Sequence, residues 1–330
     1  MARDLKIGGL KPIGQFTFRS DVGLNTAAIK SVAQSYDANM LRVVSLLRMP
    51  ANIVRWTSVF DNCFHRSMME VYGIVEPGLD RSMMTKEDQR NRVFEGLLSE
   101  WNARDNATEE WQYYVPNLHS LCLQARDPIF TGLEAMLESL VIQSWTAFEE
   151  MSERLWIALL NEHPQDLSRL DGDWELPKGP KDPEPSKKNK AAPAIGLDWI
   201  ASHDFNVSKV MGAILASDQN FQSLFSIRDA FARALGKHCA NLKAALLDDA
   251  MMHLSAIRNC LVHSAGIADD QFERQIVGSP HFAPVSVGTR IKLNGEIVES
   301  IVSRVIANVQ AMFVSADRFL STSISQKNEK

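Results

Sequence analysis

Apolar side chains along this chain recur at spacings of three and four almost from end to end, the period of an amphipathic helix. "TAAIKSVAQSYDANMLRVVSLLR" carries it, with Asn25 placed to cap the segment and Pro50 placed to follow its end. A second pattern runs from about Ile53 to Tyr72 and stops at Gly73. "TKEDQRNRVFEGLLSEW" opens at Thr85 with Asp88 three residues on, close to a capping box. "ATEEWQYYVPNLHSLCLQ" reads as a helix broken near Pro116. The clearest segment follows. Asp127 suits an N-cap and Pro128 the first helical position, and Leu133, Leu137, Leu140, Trp145, Phe148, Met151, Leu155 and Leu159 then form one stripe that ends before Pro164.

From Gln165 to Gly196 the pattern collapses. "PKGPKDPEPSKKNKAAPAIG" is rich in proline and lysine with little to bury, which predicts a flexible insertion over 165–196. Helical spacing resumes over Val207 to Leu215, Phe221 to Leu235, and Cys239 to about His263, with Gly266 placed to cap the last of these. "VSVGTRIKLNGEIV" predicts at most a short strand or hairpin, around Arg290 to Ile297. A final helix carries Ile297, Ile301, Val305, Val309, Met312, Phe313, Ala316 and Leu320. The expected fold is all-α, with a helical region over 1–125 and a helical bundle over 126–325.

Composition narrows the function. The chain of 330 residues is 45% hydrophobic and 23% charged, with a formal net charge of −5. The stretch from Leu197 to Lys330 balances 13 acidic against 13 basic residues, so attraction to a polyanion would have to be local. Cys63, Cys122, Cys239 and Cys260 are far apart and form no CxxC pair, which suits buried free thiols in a reducing compartment. "MARDLKIGGLKP" has no long apolar core of a secretory signal, and apolar windows such as "LRVVSLLRMPANIVRW" are cut by arginines and a proline. These features predict a cytoplasmic protein with no membrane span. "CFHR" offers Cys63 and His65 without a second ligand pair, and "GGLKPIG" lacks the lysine of a phosphate loop, so neither a metal nor a cofactor is expected.

One stretch departs from the bland pattern. In "NLKAALLDDAMMHLSAIRNCLVH" the residues Leu247, Ala250, Met251, Leu254 and Leu261 form a stripe, and Arg258 falls inside it. An unpaired guanidinium in a low-dielectric seam costs several kcal/mol. Arg258 therefore needs a carboxylate, a cavity open to solvent, or a partner subunit. Asn259 and His263, four residues apart, share a neighbouring face. A cation, an amide and a titratable imidazole together make a small anion site. Phosphodiester chemistry on RNA needs that set: a base for the ribose 2′-hydroxyl and a fixed cation for the phosphate.

"RNCLVH" matches the arginine-to-histidine signature of the HEPN (higher eukaryotes and prokaryotes nucleotide-binding) family. "LSAIRNCLVHSAGIADDQF" resembles that family's motif-bearing helix, "SWTAFEEMSERLW" its first long helix, and "IKLNGEIVESIVSRVIANVQAMF" the element leading into its last. The likeness covers roughly Phe130 to Leu320; residues before about 125 carry no such likeness. It implies a helical bundle, dimeric, with motif helices facing each other across the two-fold axis. It also implies a metal-independent endoribonuclease of a toxin–antitoxin, abortive-infection or other defence system, held in check by a protein inhibitor or regulator. Its products would be 2′,3′-cyclic phosphate and 5′-hydroxyl ends. Arg258 and His263 would then be the catalytic pair and Asn259 their polar helper. Ala265 stands where some toxins of the family carry a tyrosine.

Glu149 and Glu153 lie four apart on the long helix, close to its apolar stripe, and are candidates to neutralise Arg258 or orient His263. Against each role stands a plainer one: solvated glutamates, an asparagine bonded to backbone, an arginine and histidine that only hold a dimer. The alternative function is a non-catalytic module that dimerises, binds a nucleotide or engages a protein partner.

Overall fold

The computed structural model describes residues 20–73, 86–103, 127–174, 201, 206–236, 238–280, 282 and 285–328. The fold is all-α, as the spacing predicts, with one isolated β-bridge among the described residues. The helices are α1 (Ala27–Tyr72), α2 (Glu87–Ala103), α3 (Asp127–Glu162), the single turn α4 (Pro164–Leu167), α5 (Met211–Ala216, entered through a 3-10 turn at Val207–Val210) and α6 (Leu224–Leu235). They continue with α7 (Ala240–Leu247), α8 (Asp249–Ser264), α9 (Asp270–Ile276) and α10 (Gly295–Asn328).

The chain divides into two compact units, Met1–Phe16 with Val44–Met136, and Thr17–Val43 with Leu137–Lys330. This differs from a cut at residue 125, because Thr17–Val43 goes with the second unit. In the first unit Val59 and Cys63 are buried, with Phe94, Leu97 and Leu98 packed on them. The Phe60 and Phe94 rings are 5.6 Å apart, and Arg90 lies 5.4 Å from the Phe64 ring centre. The expected cap at Thr85 and the helix at 107–124 lie outside the described residues.

The second unit holds the main core. On α3 the predicted stripe is buried from Leu137 through Leu140, Trp145, Phe148, Met151, Leu155 and Leu159. On α10 Ile301, Val305, Val309, Met312, Phe313, Ala316 and Leu320 are buried, while Ile297 is half-exposed and Val298 takes the inward place. Burying such side chains stabilises by about 1.5–3 kcal/mol each before entropy is counted. Trp156 fixes α3 to α6 by donating its indole N–H to the Ala230 carbonyl at 2.9 Å. Helix α10 packs on α7 and α8. It also anchors the start of α1: Tyr36 meets Phe313 edge-on at 6.1 Å, and the Asp317 carboxylate accepts from the backbone N–H groups of Asn25 and Thr26. Asn25, expected as a capping acceptor, instead donates its Nδ2 to Asp317 at 3.3 Å.

Three expectations about breaks are overturned. Helix α1 runs through Pro50 without interruption, although a proline inside a helix costs about 3 kcal/mol or more. The single helix expected from Cys239 to His263 is two, because Asp248 adopts φ −59°, ψ 142° and accepts from Ala250 N–H at 3.0 Å to start α8. Its other oxygen takes two hydrogen bonds from Arg304, at 2.8 and 3.0 Å, tying the break to α10. The insertion is not loose from residue 165. Pro164–Leu167 is helical and Trp174 is buried, with Lys243 donating to its carbonyl at 2.8 Å and its own indole to Gly236. Gly172 belongs here because a Cβ would lie 2.5 Å from the Ala232 carbonyl oxygen. The expectation for 175–196 falls outside the described residues.

The expectation of at most a short strand or hairpin around Arg290 holds, and among the described residues no hairpin forms there. Arg290 instead bridges Ile267, just past α8, while Asn294 Oδ1 accepts from Ile297 N–H at 2.8 Å and starts α10. By length and composition α10 is apolar enough over Gly295–Thr322 to cross a membrane; half of that window is buried inside the unit. Arg304 and Asp317 cut the helix's uncharged run to Val305–Ala316, shorter than the ~20 uncharged residues of a span.

Candidate functional site

Helix α8 ends at Ser264 because the next residue turns left-handed. Ala265 sits at φ 49°, ψ 35°, and Gly266 follows at φ 77° with its N–H on the Cys260 carbonyl at 3.0 Å. The expected glycine cap is thus shared, and Ala265 bears the strain of the first left-handed position. The loop is then clamped. Ala268 N–H donates to Thr289 and Ile291 N–H to Gly266, each at 2.8 Å, and Arg290 reaches Glu138 on α3 at 2.8 Å. Asp269 caps α9 by accepting from Phe272 N–H at 2.7 Å, and buried Phe272 seats that helix. A helix end that needs a fixed side-chain geometry has its backbone held on both sides.

Arg258, Asn259 and His263 converge there. Arg258 Nη1 donates to Asn259 Oδ1 at 2.9 Å and lies 3.3 Å from His263 Nε2. A guanidinium only donates, so the contact is a hydrogen bond in the tautomer whose Nε2 bears the lone pair. His263 is exposed, while Arg258 and Asn259 are half-buried. The three line a cleft of about 430 Å³ together with Asn220, Gln222, Asp269, Gln271 and Gln275. Of the three solutions open to an arginine on an apolar stripe, Arg258 takes the solvent-open cavity.

The glutamates divide. Glu149 on α3 is half-buried, and burial pushes its carboxyl above the ordinary range, while the charge of Arg258 and the nearby Trp145 indole pull it back down and the charge of Glu153 adds to the rise. Glu149 therefore feels Arg258, yet among the described residues no carboxylate lies within ion-pair distance of that guanidinium. Glu153 is exposed and does not line the cleft. Cys260 lines it but is buried, and burial with the Asp269 charge pushes its thiol up to about 11, which makes it a poor nucleophile. Among the described residues no group of three or more His, Cys, Asp and Glu converges on a point where a metal ion would sit.

Sequence reading missed the cleft's amide side chains. Gln271 and Gln275 are four apart on α9, hence on one face, and that spacing beside the cap at Asp269 was the available signal. Asn220 and Gln222 come from the turn before α6, which no local pattern connects to α8. No family model, curated protein or solved structure matches the chain.

Proposed function

We propose that the second unit is a metal-independent endoribonuclease of the HEPN type, with His263 and Arg258 as its reacting pair. The observation that carries this reading is the convergence of Arg258, Asn259 and His263 at one rigidly held helix end that opens on solvent. His263 Nε2 carries the lone pair and takes the proton from a ribose 2′-hydroxyl. The freed 2′-oxygen attacks the adjacent phosphorus, and the P–O5′ bond breaks. The departing 5′-oxygen takes a proton from the His263 imidazolium, directly or through a water, leaving a 2′,3′-cyclic phosphate, a 5′-hydroxyl and a neutral His263. Arg258 turns from His263 to the phosphate and stabilises the charge of the five-coordinate state. Asn259 keeps the guanidinium plane aimed. No metal-activated water is needed, because the nucleophile belongs to the substrate.

A homodimer that apposes two α8 ends would bring a second Arg258 to the same phosphate and supply the local positive charge that the charge-balanced stretch from Leu197 to Lys330 lacks. The exposed aliphatic residues Val262 and Ile267, 46% and 40% accessible, flank His263 and favour a protein surface there. The free thiols Cys63, Cys239 and Cys260 suit a cytoplasmic setting. An enzyme of this kind fits a toxin or anti-phage effector, restrained by a protein inhibitor. The second reading, a non-catalytic dimerisation, nucleotide- or partner-binding module, draws on one fact: Arg258 Nη1 is already engaged within its own chain. Induced expression in a bacterial host separates the two. The ribonuclease arrests growth, and His263→Ala restores it; a wild type that leaves growth and bulk RNA unaffected favours the module.

A further inference from the structure

The walls of the cleft differ in character from its reacting pair. Beside Arg258 and His263 stand four carboxamides, Asn220, Gln222, Gln271 and Gln275, and one carboxylate, Asp269. Four neutral amides on one cleft do nothing to hold a phosphate chain by charge. What a carboxamide offers is a donor and an acceptor side by side, the complement of a nucleobase edge. These amides are also free to do so. The side chains of Gln222, Gln271 and Gln275 make no hydrogen bond to any described residue. Asn220 spends its Oδ1 on Gln222 N–H at 2.8 Å, which fixes the amide and leaves Nδ2 as a donor. Asp269 spends Oδ1 on Phe272 N–H, leaving Oδ2 as an acceptor.

Their supports are rigid. Gln271 and Gln275 project from one face of α9, which is capped by Asp269, seated by Phe272 and packed on α8. Side chains whose backbone is held this firmly lose little entropy on binding. We infer that this amide-lined wall reads the nucleobase next to the cut, and that it favours a base whose Watson–Crick edge sets an exocyclic amine beside an acceptor ring nitrogen, adenine or cytosine, over uracil. On such a base the amine donates to an amide oxygen or to Asp269, while the adjacent ring nitrogen accepts from an amide N–H. Uracil presents carbonyl oxygens where the amine would be, which face the acceptor-only Asp269 unfavourably. The inference rests on the ribonuclease reading and deepens it from RNA to single-stranded RNA with an accessible base.

The test uses the full chain and short single-stranded RNAs that differ only at the nucleotide flanking one cleavable bond. Wild type should cut beside adenosine or cytidine roughly tenfold faster than beside uridine, the discrimination one paired amide–base contact gives. In an Asp269→Asn variant, which exchanges the free acceptor for a donor, and in a Gln271→Ala/Gln275→Ala variant, which removes the donors to the ring nitrogen, the ratio should collapse toward one, chiefly through loss on the favoured RNA. Asn220→Ala, on a different element, should lower the same ratio and guards against a misfolded double variant. His263-dependent cleavage with equal rates beside all bases, or a ratio unchanged in these variants, overturns the base-reading inference and leaves the ribonuclease reading standing. No His263-dependent cleavage at all removes both.

Discussion

Replacing Asp317 with alanine should destabilise the second unit by about 2–3 kcal/mol at neutral pH. The carboxylate is buried, 4% exposed, and lies 3.0 Å from Asn25 N–H and 2.7 Å from Thr26 N–H. These are the donors left without partners at the start of α1, and Asp317 supplies the cap from a residue almost at the other end of the chain. Leaving a donor unsatisfied costs about 1–3 kcal/mol when it is buried; here Asn25 is exposed and Thr26 half-buried, so water recovers part of the loss. Asp317→Asn keeps one acceptor and should cost about 1 kcal/mol. The pH dependence distinguishes a charged cap from mere packing. Burial alone would raise this carboxyl, but hydrogen bonds from Thr26 and Asn25 outweigh it and hold it below the ordinary range. A depressed carboxylate contributes stability above its unfolded value, about 3.9, and loses it as pH falls through the folded value. Urea titrations at several pH values should therefore show a gap between wild type and Asp317→Ala that is constant above about pH 5 and narrows below about pH 4. A gap under about 0.5 kcal/mol at neutral pH, or one that persists unchanged at pH 3, would refute the capping role.

Other perturbations follow from single contacts. Gly212→Ala should lower thermal stability by about 1–3 kcal/mol, because its Cβ would sit 2.3 Å from the Ile157 carbonyl oxygen on α3, backbone against backbone; an unchanged Tm would show that α5 can shift freely. Glu149 is held above the ordinary carboxylate range chiefly by burial, so its ionised form costs stability as pH rises past that range. Glu149→Gln should be at least as stable as wild type at pH 7, with the difference gone by about pH 4 in the same urea assay. Cys260, buried and with its thiol pushed up to about 11, should resist maleimide at pH 7 until urea unfolds the chain; rapid labelling of the native protein would contradict its packing.

Short-range periodicity made the helices legible, and long-range contacts supplied what it could not. The α3 stripe from Leu137 to Leu159 is readable because each turn repeats the same demand for burial. Asp248 falls inside the single helix expected from Cys239 to His263; it breaks that helix because Arg304, more than fifty residues on, holds its carboxylate. Trp174 looked like part of a linker because its partners, Gly236 and Lys243, are equally distant in sequence. Pro50 misled in the opposite direction. The Arg258–His263 pair was legible since both sit on successive turns of one helix, so local geometry alone brings them together. The amides of the cleft were not, since Asn220 and Gln271 meet only through the packing of α6, α8 and α9.

The central claim is that His263 and Arg258 cleave RNA through the substrate's own 2′-hydroxyl, and the ends of the products test it most directly. Purified protein is incubated with single-stranded RNA in excess chelator, and the fragments are analysed by mass. The ribonuclease reading predicts 2′,3′-cyclic phosphate and 5′-hydroxyl ends, no cut at a 2′-deoxy position, and loss of these fragments in His263→Ala. Most activity should also be lost in Arg258→Lys, where the charge remains but the planar fork does not. Fragments with 5′-phosphate ends, cleavage that depends on added magnesium, or an Arg258→Lys protein as active as wild type would contradict it.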